Sequence, residues 1–362
     1  MSRTRTIAAY VSGHGFGHAV RVAEILGCVL RRSPATEVHV RTSAPARLFP
    51  RAPGRLFVHH VSTDVGMVQP HGLKIDFEAT LVQLDGLDRH WDRRSAEEAA
   101  WLKAIGARIV LGDIPPLAFD AAERAAVPAL ALGNFSWDWV YGSYAERDRR
   151  FLRHAERAAS GYRKALRLLR LPFHPETSSF ASIVDLPIVA RRFEWSRAEA
   201  RHLLGLPADR AVVLIGFGGL GYTGIDVRAI GEMAEILFLT TERYADAAPN
   251  LVERASKDLD YALLLAACDA VLTKPGYGIV ASSLVNGLRL LCVKREDFPE
   301  SSILLRALAA HGTAECISSD DLSRGRFRAP LEALLSRPVP AARIDAGGAE
   351  RAAGLLDEEL AG

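Results

Sequence analysis

Along the chain, short apolar runs alternate with longer stretches whose apolar residues recur every three or four positions, the patterns of strand and of amphipathic helix. Thr6 to Val11 is the first apolar run, closed by Ser12 and Gly13, and it predicts a short buried strand. Val22, Ile25, Leu26, Val29 and Leu30 then mark one side of a helix from Ala19 to Leu30. Further strands are expected from Glu37 to Thr42, Arg55 to Val61, Arg108 to Leu111 and Ala129 to Leu132. The pattern is helical from Asp76 to Ile105, with an interruption around Asp85 and Gly86, and a long Arg-rich helix is expected from Ala145 to Leu171. The stretch from Val65 to Lys74, with Gly66, Pro70 and Gly72, reads as a loop.

Pro172, Pro175 and Pro187 then punctuate a polar segment, so 173–187 is expected to link an N-terminal domain, 1–172, to a second domain, 188–340. The second half restarts the alternation. Ser196 caps a helix to Leu204, and strands follow from Ala211 to Ile215, Ile236 to Thr240, Ala270 to Thr273, Arg289 to Val293 and Ala314 to Ile317. Helices are expected from Gly278 to Asn286, from Ser302 to His311 and from Gly325 onward, with breaks at Pro338 and Pro340. The remainder, 341–362, ends in a helix from about Gly348 to Leu360. The whole reads as two α/β halves of similar size, each with a glycine loop after its first strand.

Composition narrows the function classes. At 362 residues, 49% hydrophobic and 24% charged, the chain has the make-up of an ordinary two-domain globular protein. Its net charge of +2 balances many arginines against many acids, which argues against a nucleic-acid-binding stripe. No signal-peptide pattern and no membrane-spanning apolar run is seen, so a cytoplasmic protein is expected, with peripheral membrane contact left open. Cys28, Cys268, Cys292 and Cys316 are isolated in apolar contexts and lack metal-ligand spacing, which predicts buried thiols.

Three loops carry candidate chemistry. Between the first strand and helix, Gly13, Gly15 and Gly17 alternate with His14, Phe16 and His18. Glycines admit a ligand close to the backbone, the helix start offers free N–H groups, and an imidazole titrates near neutrality. A tight turn bearing two surface histidines is the alternative. In the second half, Gly216-Phe-Gly-Gly-Leu-Gly221 with Glu242 fits a dinucleotide fingerprint in outline, but Tyr222-Thr-Gly224 delays the helix that the fingerprint requires. The third loop, Thr273-Lys-Pro-Gly-Tyr-Gly278, ends a strand and opens a helix, so its N–H groups and Lys274 would make a phosphate cradle, with a plain strand-to-helix turn as the alternative. Asp113, Asn134 and Ser136 stand at strand ends, where an open parallel sheet presents its crevice. Of His59 and His60, neighbours on a strand, at most one should face a cleft. The aromatic residues Phe135, Trp137, Trp139, Tyr141 and Tyr144 fit packing better than a sugar platform. Asp258-Leu-Asp260 reads as a loop acid pair.

In these motifs the sequence resembles nucleotide-sugar glycosyltransferases of the GT-B fold. The resemblance rests on Tyr10-Val-Ser-Gly-His-Gly-Phe-Gly-His-Ala19, Asn134-Phe-Ser-Trp-Asp-Trp139, Phe217-Gly-Gly219, Lys274-Pro-Gly-Tyr-Gly278 and Arg295-Glu-Asp-Phe-Pro-Glu300. It is nearest to the glycosyltransferase-like N-terminal half of plant L-arabinokinases and to small bacterial glycosyltransferase-like proteins. More distantly it is similar to the N-acetylglucosaminyltransferase that completes the peptidoglycan lipid precursor. The resemblance implies an α/β protein of two Rossmann-like domains facing across a cleft, with the C-terminal helix crossing back to the first domain.

It further implies His18 as the catalytic base or acceptor-orienting group, with His14 as a second catalytic histidine. The donor side would be Gly15, Gly17, Gly218, Gly219, Lys274, Pro275, Gly276, Tyr277 and Gly278, with Glu300 on the ribose. Asp113, Asn134 and Ser136 would lie on the acceptor side. Relatives carry a polar, sugar-reaching residue where this chain has Ile303 or Leu304. Expected partners are a UDP- or GDP-linked sugar and an unknown hydroxyl acceptor, with no metal and no further cofactor. A non-catalytic nucleotide-sugar-binding module and an NAD-dependent oxidoreductase are the competing readings.

Overall fold

A computed structural model describes residues 5–254, 260–338 and 344–361, and these form two compact units. The first comprises 5–68, 76–190 and 345–361; the second comprises 69–75 and the described residues from 191 to 344. Among the described residues no helix is long and apolar enough to cross a membrane.

The first unit is built on seven parallel strands: β1 (Arg5–Val11), β2 (Thr36–Thr42), β3 (Leu56–His60), β4 (Ile109–Asp113), β5 (Ala129–Gly133), β6 (Arg167–Arg170) and β7 (Ile183–Asp185), in the order β3-β2-β1-β4-β5-β6-β7. Ile7, Ala8, Ala9 and Tyr10 of β1 have no exposed surface. A central parallel strand is covered on both faces, which is why its sequence is an unbroken apolar run. The strand order reverses between β1 and β4, and Val11 pairs in register with Asp113. The carboxyl ends of these two strands therefore lie side by side. The C-terminal helix Gly348–Ala361 packs along Phe16–Arg32, burying Ala352, Ala353 and Leu356, with Arg32 paired to Asp357 at 2.8 Å. Its entry needs glycine: a Cβ on Gly348 would lie 2.2 Å from the Pro187 carbonyl oxygen.

The second unit has six parallel strands: β8 (Ala211–Ile215), β9 (Ile236–Thr240), β10 (Leu251–Glu253), β11 (Ala270–Thr273), β12 (Arg289–Val293) and β13 (Ala314–Ile317), ordered β10-β9-β8-β11-β12-β13. The order again reverses, here between β8 and β11. Val213, Phe238, Leu272 and Leu291 build its core with Phe327, Leu331 and Leu334.

Several sequence expectations shift. The 145–171 stretch is a shorter helix, Phe151–Tyr162, followed by strand β6. Leu168 and Leu169 are buried between β5 and β7, so sheet pairing overrides the helical periodicity of an Arg-rich segment. The 173–187 stretch supplies edge strand β7 within the first unit. Helix Phe77–Arg89 runs through Gly86, and the break comes at His90 before a second helix, Trp91–Ala104. Trp91 fixes that break, being buried and bonded through its indole N–H to Asp120. Cys28, Cys268 and Cys292 are buried, but Cys316 is exposed on edge strand β13.

Candidate functional site

At the β1–β4 switch point, helix Phe16–Arg32 begins directly after the glycine loop, with Gly15 at φ 81° as its N-cap. A positive φ at that position suits glycine. Gly17 and His18 consequently lie inside the first helical turn. His18 and Arg21 are three residues apart and share a helix face, and both side chains turn toward the end of β4.

There they meet Asp113. The Arg21 guanidinium grips this carboxylate side-on, Nε to Oδ2 and NH2 to Oδ1, both at 2.6 Å. His18 Nδ1 lies 2.8 Å from Asp113 Oδ1. The carboxylate oxygens only accept, so the Asp113 contact calls for the proton on Nδ1 and the lone pair on Nε2, whereas Arg21 NH2, 2.9 Å from the same Nδ1, only donates. Arg21 NH1 also donates to Asn134 Oδ1 at 2.8 Å. Asp113 and Asn134 are fully buried and His18 is 5% exposed. His18 is thus not one of two surface histidines on a turn. Asp113 and Asn134, expected on the acceptor side, bond here to Arg21, and Asp113 also to His18. Ser136, also expected on the acceptor side, is buried and its hydroxyl makes no hydrogen bond.

The electrostatics follow from this packing. Burial alone would raise the Asp113 carboxyl, but the Arg21 and His18 charges and hydrogen bonds outweigh it and hold the group below the usual carboxylate range. A second carboxylate, Asp64, follows β3 and accepts from the Trp137 indole N–H at 3.0 Å. Burial pushes its pKa up, against the hydrogen bonds of Ser12 and Trp137 and the charge of His18. His14 packs edge-on against Trp137, with ring centroids 5.4 Å apart, and lies over Gly66. The aromatic cluster is core here: Phe135, Trp137, Tyr141 and Tyr144 are buried.

Arg21 and Asp64 were not foreseen from sequence. Arg21 had a readable signal, since it lies on the apolar stripe of its helix with His18, Val22 and Ile25, where an arginine needs a buried partner. Asp64 had none, because a loop acid gains meaning only from what the fold places beside it. His59 is drawn into a separate group, with His39 Nδ1 2.9 Å from its Nε2, while His60 is exposed.

In the second unit, the loop after β8 makes a short 3₁₀ turn, Gly218–Leu220, with Gly218 and Gly221 at φ 73° and 60°. The next helix, Val227–Gly231, starts only six residues after Gly221, so the third glycine of the dinucleotide pattern opens no helix. The segment 69–75 lies against this loop: Gly72 N donates to Gly221 O at 3.1 Å, and Leu73 packs on the core. After β11, Gly276 is the N-cap of helix Tyr277–Asn286 and has no side chain to cap it. A Cβ on Gly276 would meet nothing within 4 Å. Burial, aided by the Arg295 charge and opposed by Glu300, pushes the Lys274 amine down to about 7. Glu300 is buried in the first turn of helix Glu300–His311. Leu304 is fully buried, so of the two sugar-facing candidates only Ile303 keeps partial exposure.

Among the described residues no three His, Cys, Asp or Glu side chains group as a metal-ligand set. Asp260 caps helix Tyr261–Ala267 and pairs with Arg191 at 2.9 Å; Asp258 lies outside the described residues.

No protein-family profile matches the chain. An L-arabinokinase of Arabidopsis thaliana is 32% identical over 371 aligned positions, covering 100% of this chain and 35% of that protein. The chain thus spans about a third of the length of that relative. An uncharacterized glycosyltransferase of Methanopyrus kandleri is 23% identical, covering 70% of this chain and 76% of that protein. Among solved structures, Arabidopsis thaliana UGT89C1 complexed with UDP superposes with a TM-score of 0.60 at 18% identity, covering 99% of both chains.

Proposed function

We propose that this chain, which has the GT-B fold, transfers a sugar from a nucleoside diphosphate donor to a hydroxyl acceptor. The observation that carries this reading is the buried Asp113–His18 pair at the carboxyl ends of β4 and β1. Asp113 holds Nδ1–H and stabilises the imidazolium that forms, so His18 Nε2 takes the acceptor hydroxyl's proton. Arg21 keeps Asp113 ionised for that task. His14, packed on Trp137, is the second candidate histidine of the same loop. Such a base contributes roughly 10²–10⁴-fold.

On the donor side, negative charge grows on the leaving diphosphate as the anomeric bond breaks. Amides of Gly218, Gly219 and the Pro275–Gly278 turn, together with Lys274, are suited to meet it, and fixed dipoles act more strongly there than in water. Glu300 takes the ribose hydroxyls, and Gly15 and Gly17 give the donor close backbone approach. In this reading the amides and Lys274 supply the charge stabilisation without a metal, and activity persists in a chelator. The donor is UDP- or GDP-linked; the UDP seen with UGT89C1 supports the first. Three buried unbridged thiols fit a reducing cytoplasm.

The test is release of nucleoside diphosphate from a panel of nucleotide sugars, with and without cell extract as the acceptor source. Release that collapses in His18→Ala supports transfer. Tight diphosphate binding without release from any donor identifies a binding module, and binding of NAD alone identifies an oxidoreductase.

A further inference from the structure

At the opposite, amino-terminal ends of the second unit's strands lies a cavity of about 330 Å³ that the proposed transfer does not use. Arg197 and Arg201 reach it from helix Arg197–Leu204, Arg210 from the residue before β8, and Arg289 from the start of β12. Two acids accompany these four arginines, Asp209 and Asp269. Both oxygens of Asp269 are engaged, Oδ1 by Arg197 NH1 at 3.1 Å and Oδ2 by Arg201 NH2. Asp209 is exposed and makes no ion pair among the described residues.

The remaining guanidinium bonds go to neutral carbonyls. Arg201 binds those of Ala267 and Ala208, Arg210 those of Ala234 and Ile236, and Arg289 those of Asp269 and Arg337. Carbonyls orient a guanidinium but do not neutralise it. Four positive charges against two negative ones leave an excess of two around one cavity. Arg289 is only 8% exposed, and its Nε and that of Arg197 are buried donors with no hydrogen-bond partner. Burial and the charge of Arg197 push the Arg289 pKa down, against the opposing charge of Asp269. Buried polar groups without partners are uncommon in native proteins, and a buried charge without one is costly.

We propose that this cavity binds a small dianion of the phosphate class. A phosphate group carries about −1.5 to −2 charges at pH 7 and three acceptor oxygens, which matches the surplus charge of the four guanidinium groups that line the cavity. The volume sits at the small end of ligand pockets, which span roughly 300–1,000 Å³, so a phosphate with a compact body fits. Lys274 and the glycine loop stand at the other ends of the same strands, a five-residue strand length of roughly 16 Å away. The site is therefore separate from the proposed donor cradle, and occupying it need not compete with a nucleotide.

Calorimetric titration of the full chain with inorganic phosphate, against chloride at equal ionic strength, tests this. Saturable binding is expected, weakened about tenfold or more in Arg289→Gln and in Arg197→Gln but unchanged in Lys274→Met. Circular dichroism checks that each variant is folded, and Arg197→Gln, whose side chain is partly exposed, stands in if Arg289→Gln is not. A hexose 1-phosphate that binds more tightly than phosphate itself identifies a sugar phosphate as the occupant; equal affinity identifies free phosphate. No saturable signal up to about 10 mM overturns the proposal. So does wild-type affinity in both arginine variants, or loss of binding in Lys274→Met, which would move the anion to the donor cradle.

Discussion

If Lys274 receives the donor diphosphate, binding must recharge an amine that the free protein holds near neutrality. In the free protein its pKa lies at about 7 rather than 10.5, because burial and Arg295 disfavour the ammonium. A diphosphate beside it favours the ammonium and returns the pKa toward or above its ordinary value. The sign follows: above pH 7 the complex holds more protons than the free protein, so affinity falls as pH rises. With a free pKa of 7, the dissociation constant scales as one plus ten to the power of pH minus 7. Between pH 7 and pH 9 that is a factor of about 50, or about 2.3 kcal/mol, while between pH 6 and pH 7 it is less than about twofold. A terminal phosphate, with its second pKa near ~6, stays ionised throughout the upper window and contributes little.

Calorimetric titration with UDP or GDP in two buffers of different ionisation heat reads the effect directly. About half a proton is taken up at pH 7 and about nine-tenths at pH 8. Lys274→Met abolishes both the slope and the proton uptake, and its affinity meets that of the wild type between about pH 8 and pH 9. At pH 6 the variant is weaker by about 1.5–3 kcal/mol, the usual worth of a hydrogen bond to a charged group. Constant affinity from pH 7 to pH 9, or an equal slope in Lys274→Met, would refute the placement of Lys274 against the phosphates.

His18→Ala should leave nucleoside diphosphate affinity intact while turnover drops about 10²–10⁴-fold; His14→Ala ranks the two imidazoles, and a greater loss there would exchange their roles. Asp113→Ala strands the buried Arg21 charge and should cost about 3–5 kcal/mol in urea unfolding, a loss near zero meaning that Arg21 finds another anion. Because the folded pKa of Asp113 is depressed, its stabilisation is full above the unfolded value near ~3.9 and is lost as pH falls through the folded value; acid unfolding of Asp113→Asn should lack that component. Gly276→Val should unfold like the wild type, since its side chain meets open space, yet bind diphosphate poorly because the new side chain stands over the helix N–H groups; unchanged affinity would place the phosphates elsewhere.

Much of the architecture was legible in the chain itself. Most strands of both sheets are apolar runs bounded by turn residues, because a strand covered on both faces must be apolar at consecutive positions. The glycine loops at Gly13–Gly17, Gly216–Gly221 and Pro275–Gly278 announced themselves through residues that other backbones could not use so closely. Short strands were not legible: β6, and the edge strands β7 and β10, carry little hydrophobic signal of their own and exist through pairing with a neighbour. Sequence could nominate His18 and Asp113 separately, 95 positions apart, but not as a pair. Only the parallel register of β1 and β4, which sets Val11 beside Asp113, brings the carboxylate under the first turn of the helix. The same holds for Lys274, an ordinary lysine by composition, whose pKa falls only because the folded chain buries its amine beside Arg295. Local pattern determines which segments become strand and helix; charge, burial and proton affinity belong to neighbours that the tertiary structure alone supplies.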